Sequence, residues 1–292
     1  MSPSIVRAAC LQVSPGNDLR QNLESISGLI DRAVEEGAEV ITLPEFATFL
    51  DRSSSSMRTS AHPEAEHPAL RHLIQEARRQ GVWLLAGSIV IAGESDDDKL
   101  LNRSFLISPE GEVCGRYDKI HLFNARLKDG REVGESRHYK PGGSAVLVRT
   151  PFAAVGLSVC YDLRFPSLYR GLAKAGAEIL TVPAAFAAET GIAHWEPLLR
   201  ARAIENGCFV LAPATYGVHP GDWQTYGHAA IIDPWGEVLA QCDGAGPGLA
   251  IATLDLNLVK EVRDRIPSLF TNPEYSIVEC PTATQAEVRS RP

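Results

Sequence analysis

The chain has 292 residues, a mass of 31.6 kDa and a formal net charge of −8, with 45% hydrophobic and 22% charged residues. That is the make-up of a globular protein with enough chain to bury a sizeable core. The acidic balance argues against nucleic acid or an anionic membrane surface as the main partner, because both reward clustered Lys and Arg.

The first strand candidate is IVRAACLQV (5–13), rich in β-branched and small apolar residues. DLRQNLESISGLIDRAVEEG (18–37) follows as a helix, with Asp near its start and Gly at its stop. Strands are expected at 39–43 and 82–91, with a helix over 67–81 between them, and again at 101–108 and 112–117. The second half repeats the alternation, with strands at 145–149, 153–160, 178–182, 208–213, 228–233, 237–242 and 249–256. Its helices are FPSLYRGLAKAG (165–176) and HWEPLLRARAIENG (194–207), and both end on Gly. Strand alternating with helix indicates an α/β protein. Two polar stretches, 47–66 and 118–143, resist assignment, and long loops in a compact α/β chain tend to line a site.

The chain echoes itself. GAEVITLPEF (37–46) returns as GAEILTVPAAF (176–186), and SPEGEVCG (108–115) returns as DPWGEVLA (233–240), in the same order. The hairpin pair alone is short enough to recur by chance. Both echoes together imply two similar layers within one domain over 1–280, with 281–292 as a peripheral tail.

Six cysteines (10, 114, 160, 208, 242, 280) are irregularly spaced and form no C-x-x-C pair, so no zinc or redox motif is indicated. The first residues lack the basic-then-apolar order of a signal peptide, and no apolar run is long enough to span a bilayer. Cytoplasmic, reduced thiols are the expectation.

In α/β folds ligands meet the carboxyl ends of strands. Glu45 follows VITLP, Lys119 follows EVCGRY, and Cys160 closes AAVGLSVC. Taken singly, each has an ordinary structural explanation: a packed thiol, a solvated loop charge, a capping acid. Together they suit acyl transfer. A thiol attacks only once deprotonated, a carboxylate can take the proton and later return it to a leaving group, and an ammonium favours the thiolate. The same ammonium, with the Tyr161 N–H, can hold an oxyanion. A Cys–His pair is the rival arrangement, with His121, His194 or His228 as base, although no thiol-protease signature surrounds Cys160. His194, Trp195 and Glu196 open the 194–207 helix, a structural place. Arg164 can pair with Asp162 to fix the turn after Cys160, or bind a substrate carboxylate in its guanidinium fork.

Over about residues 5 to 270 the sequence resembles the nitrilase superfamily of carbon–nitrogen hydrolases, in its NIT-type amidase branch. LPEF around Glu45, YDKIHLF around Lys119, GES at Glu135, CYDLRFPSLYR around Cys160, TGIAHWEPLLRARAIENGCFV and YGHAAIIDPWGEV carry the resemblance, in order. It implies a four-layer αββα sandwich of two pseudo-symmetric halves. It also implies Glu45 as general base and acid, Lys119 as stabiliser of the tetrahedral intermediate, Cys160 as nucleophile, and Glu135 as the glutamate orienting Lys119 and substrate. No metal or organic cofactor is implied. Homodimers are, through the outer helices, here 165–176 and 194–207.

Cys160-Tyr161-Asp162 matches these amidases, where true nitrilases carry Cys-Trp-Glu. The expected reaction is therefore hydrolysis of a terminal carboxamide on a small carboxylate-bearing molecule, through a Cys160 thioester. Deaminated glutathione fits better than the ω-amidase substrate α-ketoglutaramate. Nitrilase or N-carbamoyl hydrolase activity, or a catalytically idle binding module, are the rivals. Tyr161, Arg164 and Phe186 are expected to line the substrate pocket. Ile192, Ser167 and Asn124 depart from the family pattern, and Ile192 and Asn124 are expected to alter pocket shape.

Overall fold

The structure, a computed structural model, describes residues 4–93, 99–126, 130, 132–271 and 274–279. The expected tail, 281–292, and Cys280 lie outside the described residues.

Strand Ile5–Val13 anchors the first sheet. It runs parallel to Val40–Thr42 and to Ala214–His219, and antiparallel to the last strand, Gly248–Asp255. Side chains alternate across a strand. Ala9, Leu11 and Val13 accordingly pack under the helices Leu19–Glu35 and Pro68–Gln80, while Ala8 and Cys10 face the second sheet. That sheet has parallel strands Ala154–Leu157, Ile179–Thr181 and Phe209–Ala212, with antiparallel strands at its sides. Helices Pro166–Lys174 and Ala188–Asn206 pack against it from outside. The architecture is the αββα sandwich expected from sequence, with a shared core between the sheets that includes Val155, Leu157, Ile179, Phe209 and Leu211. Each such side chain contributes roughly 1.5–3 kcal/mol by leaving water.

The doubling extends to individual hydrogen bonds. Glu39 Oε2 accepts from the Arg7 N–H and Glu178 Oε2 from the Ala154 N–H, each glutamate sitting just before its parallel strand. The two echoed hairpins close in the same way. Ser108 Oγ accepts from the N–H groups of Glu110 and Glu112, and Asp233 Oδ1 from those of Trp235 and Glu237. Gly111 and Gly236 supply the left-handed residue in each turn, at φ 80° and 90°.

Three expectations need correction. The run 82–91 is two strands, Trp83–Leu85 and Ile89–Ile91. It breaks at Gly87, whose φ is +67° and where a Cβ would stand 2.0 Å from the Pro44 carbonyl oxygen. The helix placed at 194–207 starts earlier, at Ala188, so His194 and Trp195 are interior to it. Finally, the hairpin Ala214–His219 with Trp223–Tyr226 was not anticipated. Its Tyr, Gly, His and Gln residues obscure the apolar alternation.

Candidate active site

Glu45 follows the strand Val40–Thr42, whose extension is pinned by the Leu43 N–H to the Leu85 carbonyl, 2.9 Å. Phe46, the next residue, takes φ +55°, a left-handed backbone that costs a non-glycine residue about 1–2 kcal/mol. The turn drives the Glu45 side chain inward to 1% exposure. There Oε1 accepts from Asn102 Nδ2 at 2.9 Å and Lys119 Nζ at 2.9 Å, and Oε2 accepts from the Ala185 N–H at 2.9 Å.

Cys160 ends the corresponding segment of the second half. It has φ +49°, is 8% exposed, and begins the 3-10 helix Cys160–Arg164. Its N–H donates to the Pro183 carbonyl at 2.9 Å, and its thiol lies close enough to the Glu45 carboxylate for the two to perturb each other's ionisation. The Tyr161 N–H, in the first turn, has no intrahelical acceptor.

Lys119 comes directly after strand Val113–Asp118 and is 1% exposed. Besides Glu45, its ammonium reaches both carboxylate oxygens of Glu135, at 3.0 and 2.9 Å. Glu135 opens a 3-10 turn in the 118–143 segment, and its Oε2 also accepts from the Phe123 N–H at 2.8 Å.

Two carboxylates thus share one ammonium, and the electrostatics separate them. Burial pushes Glu45 up, but Lys119, the Ala185 N–H and the Cys160 thiol together hold its carboxyl below the ordinary value. Glu135 goes up, because burial and the charge on Glu45 outweigh Lys119. Burial alone would discharge Lys119, yet Glu135 and Glu45 keep its pKa well above the usual lysine value. Burial and the nearby Glu45 charge lift Cys160 well above an ordinary thiol, against the pull of Lys119. The resting pair is a thiol beside an ionised carboxylate, the state in which Glu45 is poised to take a proton.

These groups lie in the wall of a cavity of about 240 Å³. The expected Tyr161, Arg164 and Phe186 line it too, as do Leu50, Asp51, Arg52, Ser54 and Met57 from the polar 47–66 stretch. Arg164 does not pair with Asp162. Its guanidinium lies over the rings of Phe186 and Tyr161, 5.2 and 5.9 Å from their centroids, and approaches His194 Nδ1 at 3.3 Å. Asp162 is fully buried and engaged by Tyr117, His121 and the Val159 N–H.

The histidine alternative fails on geometry. His121 binds Asp162, His194 meets Arg164, and His228 Nδ1 meets the Tyr226 carbonyl; none of these three lines the cavity. Ile192 and Asn124 do not line it either, so the expected change in pocket shape does not arise from them directly. Ile192 is 75% exposed, while Asn124 accepts from Ser136 beside Glu135. Ser167 is exposed. Sequence reasoning missed Asn102 and Trp223. Asn102 was a polar residue inside an apolar strand, a signal that asks for a buried partner. Among the described residues no cluster of His, Cys, Asp and Glu could hold a metal, and no helix is long and apolar enough to cross a membrane.

The carbon–nitrogen hydrolase family matches residues 7–264, and the chain belongs to it. It is a hydrolase acting on carbon–nitrogen bonds other than peptide bonds. A deaminated glutathione amidase of Synechocystis is 43% identical over 265 residues, covering 90% of this chain and 96% of that one. The Homo sapiens protein of the same name is 40% identical over 262 residues, covering 89% and 80%. Among solved structures, yeast Nit3 of the nitrilase superfamily superposes with a TM-score of 0.82 at 27% identity, covering 91% and 96%. The C. elegans NitFhit protein gives 0.84 at 35% identity; the match covers 91% of this chain but 65% of that longer one.

Proposed function

We propose that the protein hydrolyses the terminal carboxamide of a small carboxylate-bearing substrate of the deaminated glutathione kind, giving carboxylate and ammonia. The reading rests above all on one observation, the meeting of Glu45, Lys119 and Cys160 at one buried point on the cavity wall. The names of the relatives described above supply the substrate class.

Glu45 takes the thiol proton as Cys160 Sγ attacks the amide carbon. The oxyanion falls to Lys119 Nζ and the Tyr161 N–H. Glu45 returns the proton to the departing nitrogen, ammonia leaves, and a thioester remains on Cys160. Water then attacks the thioester with Glu45 again as base, the C–S bond breaks, Glu45 returns the proton to Cys160 Sγ, and the carboxylic product leaves. Glu135 holds Lys119 in place throughout, and the reaction needs no cofactor or metal. Arg164, free of Asp162, is the anchor for the substrate carboxylate, with Phe186 and Tyr161 beneath it.

We further infer one hydrolase domain over 1–280 acting as a cytoplasmic homodimer. Five free cysteines among the described residues suit a reducing compartment. Exposed Ile192 and Ile204 on the helix Ala188–Asn206, with Trp235 and Ile266 in the same surface depression as Ile204, favour a second copy there.

The test is ammonia release from deaminated glutathione, α-ketoglutaramate, an aliphatic amide, a nitrile and an N-carbamoyl amino acid, with wild type and Cys160→Ala. Cys160-dependent ammonia from deaminated glutathione supports the reading. Preference for another member moves the assignment to that substrate. No turnover together with an inert Cys160 favours the idle module.

A further inference from the structure

Asp162 buries a carboxylate completely, at 0% exposure, and the arginine two residues on does not neutralise it. Its Oδ1 accepts from the His121 N–H at 3.0 Å and from His121 Nδ1 at 2.7 Å; its Oδ2 accepts from the Tyr117 hydroxyl at 2.7 Å and the Val159 N–H at 2.8 Å. These four donors match the four acceptor sites of an ionised carboxylate. Since an ionised carboxylate only accepts, His121 Nδ1 carries the hydrogen.

The sources of those donors matter more than their number. Tyr117 and His121 stand two residues before and two residues after Lys119, whereas Val159 and Asp162 flank Cys160. The carboxylate therefore bridges the segment carrying the ammonium and the turn carrying the thiol. It also sits where the backbone needs support, because Cys160 is held at φ +49°, and strained residues persist only when their surroundings over-determine them. A side-chain amide could not replace it. One of its two ends would donate, leaving a buried N–H opposed to another.

We propose that Asp162 is a positioning residue that staples the Lys119 segment to the Cys160 turn and so fixes ammonium and sulfur relative to each other. It touches neither substrate nor the reacting atoms. This rests on the reading of Cys160 as nucleophile and Lys119 as oxyanion partner. Loss of the staple slows formation of the acyl-enzyme and leaves substrate affinity largely intact.

Two variants test it, Asp162→Asn and Tyr117→Phe, the second removing a single oxygen and keeping the test open if the first does not fold. Each is assayed well below its own melting temperature, with Cys160 alkylation by iodoacetamide followed beside ammonia release. Misplacement of reacting groups by about an ångström costs on the order of 10²-fold. Asp162→Asn is therefore expected to lower kcat by about that factor with KM within about threefold, and to slow alkylation at least about tenfold. Tyr117→Phe is expected to lower both rates about tenfold alone, and to add little in the Asp162→Asn background because the two act through one contact. Folded variants with alkylation and kcat within about fivefold of wild type, or with the whole loss in KM, overturn the proposal. Alkylation needs no substrate, so a wild type that releases no ammonia refutes the substrate reading while the alkylation ratios still decide the staple.

Discussion

Replacing Lys119 with methionine removes the ammonium lying 2.9 Å from Glu45 Oε1 and 2.9 Å from Glu135 Oε2, where the carboxylate side chains are 2% and 13% exposed. Deleting one partner of a buried ion pair costs about 3–5 kcal/mol, because the survivor is left uncompensated. Here one carboxylate can relieve the repulsion by taking a proton. Glu135 is already lifted by burial and by the Glu45 charge, so a loss near the lower end, about 3 kcal/mol, is expected. For a chain of this size that lowers the melting temperature by roughly 6–12 °C. Turnover should fall further than stability suggests, since loss of an oxyanion partner costs about 10²–10³-fold in kcat. The informative variant is the double replacement Lys119→Met with Glu135→Gln, which removes one of the two stranded carboxylates. It should regain much of the thermal stability and none of the activity. Scanning calorimetry and ammonia release, run side by side, separate the two effects. A single variant within tenfold of wild-type kcat, or a double variant that recovers turnover, would refute the role given to the ammonium.

The other expectations concern pH, anchoring and the remaining thiols. Glu45 is held below its ordinary carboxyl value, so its contribution to stability is full above about pH 4.3, the unfolded value, and fades as pH falls through the lower folded value. In Lys119→Met burial is no longer offset and the folded carboxyl rises, so this acid-side loss should shrink or reverse, which denaturation midpoints across pH 3–7 would reveal. Lys119 itself is raised, so its share is present below about pH 10.4 and is lost only as pH climbs through the higher folded value. Because burial and Glu45 lift the Cys160 thiol, its alkylation rate should keep rising past the ordinary thiol value of about 8.5; a plateau below pH 8 would mean a preformed thiolate. Arg164→Met should raise KM for a carboxylate-bearing amide about 10- to 100-fold, the equivalent of one charge-assisted contact, while a neutral amide is unaffected. Equal losses on both amides would place Arg164 outside substrate recognition. Converting Cys10 or Cys208, both fully buried, to alanine should cost some stability and leave kcat unchanged.

Much of this site was legible in the sequence because its chemistry is carried at strand ends. Glu45, Lys119 and Cys160 each follow an apolar run whose length fixes where the backbone leaves the sheet. The doubled layout was legible for a similar reason, since Gly-stopped helices and Gly-turned hairpins recur in order. What the sequence hid was the pairing of polar groups across distant segments. Asp162 next to Arg164 reads as a local ion pair, and only the approach of Tyr117 and His121 from either side of Lys119 shows otherwise. Asn102 likewise reveals its purpose only when Glu45 arrives from 57 residues away. The hairpin Ala214–His219 with Trp223–Tyr226 escaped because its stability comes from pairing with Ile5–Val13 and its own partner strand rather than from local apolar alternation.

The claim on which the account stands is that Cys160 forms a covalent acyl intermediate. Rapid acid quench of the wild type with deaminated glutathione, followed by peptide mass spectrometry, tests it directly. The account predicts an adduct equal to the substrate minus ammonia, carried on the peptide containing Cys160 and formed together with one equivalent of ammonia. Ammonia released at the full rate by Cys160→Ala, or an adduct on a different residue, would contradict it.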